Sequence, residues 1–103
     1  MLNFGKDRLY SMNSETELFF QNLSAIQNEV ISVALIRQNN YNNIEEILTD
    51  VSYEVLYRCM ELIDGYYCPN TQYRLKNLLT GIEVNENLDL HNFCQDYLRY
   101  TDK

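Results

Sequence analysis

Tryptophan is absent, proline and histidine occur once each, and glycine and cysteine three times each. Each scarcity excludes something. Three scattered glycines build no phosphate-cradling loop, and neither a nucleophile elbow nor an HExxH pair occurs. Three cysteines, Cys59, Cys68 and Cys94, are an odd number without framework spacing, which fits a reducing compartment better than a disulfide scaffold. No run of about 18 apolar residues exists, so no transmembrane helix is expected. Met1 to Ser14, MLNFGKDRLYSMNS, offers no apolar h-region and no small-residue cleavage site, so a cytoplasmic location is expected. Basic residues are few: 8 against 15 acids, a formal net charge of -7. Phosphates repel such a chain, and it lacks the polybasic segment that anionic membranes attract, so neither nucleic acid nor membrane is an expected direct partner. A basic protein is.

What is present is a globular composition. The chain has 103 residues, 46 % of them apolar, enough for one domain with a core. Residues 1–13 show no period and read as a loosely packed N-terminal extension, leaving 14–103 as a single helical domain. Ser14-Glu15-Thr16-Glu17 reads as a capping box opening a long helix to about Arg37. Phe19, Leu23, Ile26, Val30 and Val33 form its apolar stripe, and Phe20, Ile31, Ala34 and Leu35 widen it. That width predicts contact with two elements or with a second subunit, and suggests a homodimer. QNNYNN, residues 38–43, is a loop, so the next helix, from about Ile44 to Asp64, returns antiparallel. Gly65 ends it and Pro69 forbids its resumption. Alternation about Asn77-Leu78-Leu79-Thr80-Gly81 predicts a β-hairpin near 72–85. Leu90, Phe93, Cys94, Tyr97 and Leu98 predict a last helix over about 88–100, packed across the first two. The fold class is therefore mainly α (α+β): a long antiparallel helical hairpin, a small β-hairpin and a C-terminal helix.

Projected at 100° per residue, Ile44, Ile47, Leu48, Val51, Val55, Cys59, Leu62 and Tyr66 form the core face of the second long helix. Opposite them, within a sector of about 80°, lie Glu46, Asp50, Tyr53, Tyr57, Glu61 and Asp64, with Glu54 at the margin. From Glu45 to Asp64 there are six acids and one base, Arg58. The ordinary reading is a solvated helix face. The sharper one notes that tyrosine gives stiff contact area at low entropic cost, while carboxylates steer a basic partner. These seven residues are the candidate partner-binding site.

No catalytic or metal site, and no cofactor, is expected. Cys59, Cys68, His91 and Cys94 include two zinc-type donors three apart on a helix, but Cys59 and Cys94 fall on apolar stripes, where cysteine behaves as a small hydrophobe. His91 reads as solvated at a helix boundary. Glu83, Glu86 and Asp89 cluster without the burial that acid–base work needs.

Size, acidity and expected residence resemble the profile of bacterial immunity proteins, which neutralise a cognate nuclease or other toxin; the likeness is of profile, carried by no motif. It implies a small non-catalytic inhibitory protein that docks its acidic, tyrosine-bearing helix on a basic target such as a toxin or defence nuclease. The alternatives are a DNA mimic that competes for nucleic-acid-binding proteins, and a homodimeric structural module.

Overall fold

A computed structural model describes residues 12–101. The expected extension thus lies outside the described residues, apart from Met12 and Asn13. Two long helices, α1 (Ser14–Ile36) and α2 (Ile44–Asp64), are followed by the strands β1 (Lys76–Asn77) and β2 (Ile82–Glu83) and by a short α3 (Cys94–Tyr97). A 3-10 turn, Gln38–Asn40, lies in the α1–α2 connection, and another, Leu90–Phe93, leads into α3. The protein is mainly α with a small antiparallel hairpin, as its periodicities predict.

Local chemistry sets the helix ends. The cap of α1 is Asn13, not Ser14: its Oδ1 accepts from the Thr16 amide at 2.8 Å and from the Thr16 hydroxyl at 3.0 Å. Asparagine caps as well as serine does, and here it takes the position one residue earlier. Asn43 repeats the arrangement at α2, accepting from the Glu46 amide at 2.9 Å. Gly65 closes α2 at φ +92°, in the left-handed region that glycine enters without a Cβ penalty.

The core is small. Ile26, Val30 and Leu62 are buried at its centre, ringed by Phe19, Leu23, Val51, Val55, Cys59, Tyr67, Cys68 and Tyr73. The hairpin joins it through Tyr73, whose ring meets Phe19 edge-on at 5.3 Å. Buried Asn85 fixes the hairpin's base, accepting from the Leu75 amide at 2.9 Å and donating to the Tyr73 carbonyl at 2.9 Å. In β1–β2, Lys76 pairs with Glu83, and Arg74 lies 3.9 Å from the same carboxylate, so the expected cross-strand charge match is present.

Two expectations are corrected. Ile44, Leu48 and Tyr66 belong to the projected core face of α2 but are exposed, because α1 covers only part of that apolar sector and Tyr66 lies beyond the helix end. The last helix is not continuous over 88–100. It is a 3-10 turn plus one turn of α3, ended at Leu98 by an extended φ/ψ of -107°/150°. The reason lies in α2.

Candidate functional site

All seven candidate residues lie on α2, and the chain itself covers much of the surface they form. Asp64 is the clearest case. Its side chain is fully buried, and its carboxylate accepts from the backbone amides of Leu90 at 2.9 Å and His91 at 2.8 Å. Those amides open the 3-10 turn and have no partner within it, so Asp64 caps it from another element. The His91 ring nitrogen Nδ1 adds a contact at 2.6 Å. Capping fixes where the turn starts, and the chain then runs extended beyond Leu98 instead of continuing as helix.

Asp50, four turns earlier, is also buried. It accepts from the hydroxyl of Tyr41 and, at 3.4 Å, from that of Thr101. Burial and this hydrogen bond push the Tyr41 phenol up to about 12. Nearby, Arg99 reaches Glu45 at 2.6 Å. Residues 89–101 therefore lie along α2 as a strap, fastened at Asp64 and again at Asp50.

Between the two fastenings the rings interlock. Tyr53 and Tyr57 stack with centroids 6.0 Å apart, and Tyr100 leans on Tyr53 at 5.5 Å. His91 stands edge-on to Tyr57 at 5.7 Å and to Tyr66 at 4.9 Å. The Tyr66 hydroxyl donates to Asp89 at 2.8 Å. Burial, reinforced by neighbouring acidic groups, raises the phenols of Tyr53 and Tyr57 above their ordinary value. Glu46, Glu54 and Glu61 are half-buried. Glu46 accepts from the Asn42 amide at 2.9 Å, and Glu54 lies 3.6 Å from Arg58, which also bridges to Glu29 on α1.

Tyr53, Tyr57 and Asp64 lie against the strap, whereas Asp50 and Glu54 also line a small cavity with Val30, Val33 and Arg37 on the α1 side. The expectation of one wholly outward face is corrected, because Asp50 and Asp64 are internal fastenings. His91, expected to be solvated, is corrected too, since its side chain is only 12 % exposed and sits on Asp64. The missed contributors are His91, Arg99, Tyr100 and Thr101. The only sequence signal for them was the apolar stripe of the last segment, which says that it packs but not on which face.

Little here resembles a reaction centre. Burial pushes the thiols of Cys59 and Cys94 up, away from the nucleophilic thiolate. Among the described residues, no three of His, Cys, Asp and Glu are grouped to hold a metal ion, and no helix is long and apolar enough to cross a membrane. No family model matches the chain, and no curated protein or solved structure matches it significantly.

Proposed function

We propose that this chain is a small non-catalytic binding protein of the cytoplasm, inhibitory in action, that docks the tyrosine-bearing face of α2 and its strap on a basic protein. A toxin or defence nuclease, as in immunity-type pairs, is the kind of target that fits. The supporting observation is the interlocked ring array. Tyr53, Tyr57, Tyr100 and Tyr66 are held by one another and by His91, so a partner that meets them orders few side chains. Around them Glu61 and Asp89 supply negative charge, and the bases nearby are engaged, Arg99 with Glu45 and Arg58 with Glu29 and Glu54. Carboxylates so placed steer a cationic surface toward the rings and speed the encounter. The DNA-mimic alternative has less to draw on, since buried Asp50 and Asp64 present no charge to a reader of phosphates.

The test is affinity capture from host lysate, eluted along a salt gradient and identified by mass spectrometry, followed by calorimetry on the purified pair. Tyr57→Ala is expected to weaken binding by roughly 1–3 kcal/mol, as truncation of an interface tyrosine does, with the circular dichroism unchanged. Normal binding by the double variant Tyr53→Ala/Tyr57→Ala would show that this face is only a solvated one. Release of many nucleic-acid-binding proteins together at modest salt would favour the mimic.

A further inference from the structure

The α1–α2 hairpin has a second broad face, largely apolar, whose α2 edge at Leu48, Ser52 and Leu56 borders the strap residues Tyr97, Leu98 and Arg99. At 100° per residue, Phe20, Ser24, Gln27, Ile31 and Leu35 line one stripe of α1. Ile44, Leu48, Ser52, Val55, Leu56 and Cys59 line the adjacent stripe of α2. A groove of about 450 Å³ between the helices, lined by Phe20, Leu23, Ser24 and Gln27 on one side and by Val55 and Cys59 on the other, confirms that the two stripes meet. Phe20 is 56 % exposed, Ile31 45 %, Leu35 60 %, Ile44 72 %, Leu48 63 % and Leu56 43 %.

We propose that a second copy of this chain covers this face, with the two α1 helices antiparallel, so that two hairpins form a four-helix bundle. Three observations carry it. The first is area. At about 200 Å² for a fully exposed residue of this size, the six residues expose roughly 600–700 Å² per copy. That exceeds the apolar patch of a typical monomer, and twice it reaches the lower range of stable dimer interfaces.

The second observation is charge. None of the eleven stripe residues is ionisable as an acid or base of ordinary surface type; Cys59, its thiol pushed up by burial, stays neutral. The charged pair at its α2 edge, Glu45 and Arg99, is matched within the chain, so a basic partner would find little unpaired charge here, whereas a copy carrying the same net charge of -7 needs a neutral surface on which to meet. Glu17 at the stripe's end fixes the direction. Antiparallel α1 helices hold the two Glu17 residues ~25 Å apart, at 1.5 Å per residue, while a parallel pair would set them side by side.

The third observation is that the α1 stripe complements itself. About a two-fold axis between residues 25 and 26, Phe20 meets the partner's Ile31, Ser24 meets the partner's Gln27, and Thr16 meets the partner's Leu35. Every large residue then faces an apolar or small one, and the two polar side chains face each other within reach of a hydrogen bond, as an isologous contact requires.

Sedimentation equilibrium over roughly a hundredfold range of concentration tests this, because a dimer's apparent mass follows mass action. The wild-type chain is expected to dimerise. Phe20→Glu and Ile31→Lys should each raise the dissociation constant at least about tenfold. Both positions are exposed, so helical circular dichroism should persist. The double variant Phe20→Glu/Ile31→Lys sets each new acid against the partner's new base and should restore the dimer to within about threefold of wild type. A monomer throughout, or a dimer indifferent to both single changes, overturns the proposal. Single changes that dissociate the dimer without rescue by the double overturn the antiparallel register.

Discussion

Asp64 illustrates how a charged side chain becomes a structural part. It accepts two backbone amides and a histidine nitrogen, and no water reaches it. Asp64→Ala leaves those donors buried without acceptors, a loss on the order of 2–4 kcal/mol in urea-unfolding stability. Asp64→Asn keeps one oxygen and should lose less, and Glu61→Gln on the same face should change stability by less than about 0.5 kcal/mol. Tyr41 gives a second prediction, by pH. Its folded phenol titrates at about 12, above the unfolded value of 10, so its contribution is whole below pH 10 and disappears as pH rises toward 12. Tyr41→Phe should therefore show a shallower loss of unfolding midpoint than wild type between pH 10 and 12. Neither role was legible in the sequence. A helical projection sees an acid opposite an apolar stripe and assigns it to solvent, while the donors that bury Asp64 stand 26 and 27 residues away.

At the scale of elements, α2 is the best-encoded part of the chain, because both of its ends rest on neighbours in sequence. Asn43 caps it, and Gly65 closes it with amides of residues 65 and 66 returning to Leu62 and Glu61. A Cβ at Gly65 would lie 3.1 Å from the Thr71 carbonyl oxygen and 3.1 Å from the Gln72 Cβ, in a backbone conformation with φ +92°. Gly65→Ala should cost about 1–2 kcal/mol for the left-handed conformation alone, read from the thermal midpoint. The hairpin was legible for the same local reason. Gly81 takes φ +76°, and the Asn77 side chain accepts from the amides of Leu79 and Thr80. The last helix was legible as an element but not in its extent, because Asp64 of another element determines where its first turn begins. Local pattern foretells an element's extent when its caps are local and fails when they are borrowed.

For the molecule as a whole, like charges dominate. With a net charge of -7, self-repulsion opposes folding, and the ion pair Arg99–Glu45 is about three-quarters exposed at both ends, so it contributes little. Adding salt screens the repulsion more than it weakens such pairs, so the thermal midpoint should rise by a few degrees from low to moderate ionic strength. A falling midpoint would mean that ion pairs outweigh repulsion. Fold class was legible at this scale because two long helical periods and one alternating stretch leave few arrangements. Which side of the hairpin the last segment would cover was not, since the apolar sector of α2 is wider than α1 can occupy, as exposed Ile44 and Leu48 show. The strap itself has a kinetic consequence. Its fastenings join residues 26 to 54 apart in sequence, whereas the long helices are joined by a loop of a few residues. Short loops close first, so the hairpin assembles early and the strap docks onto a finished surface. The same order reversed makes the strap a separate opening unit. The amides of Leu90 and His91 should exchange with solvent through local release at Asp64, well before those at the centre of α2 exchange through global unfolding.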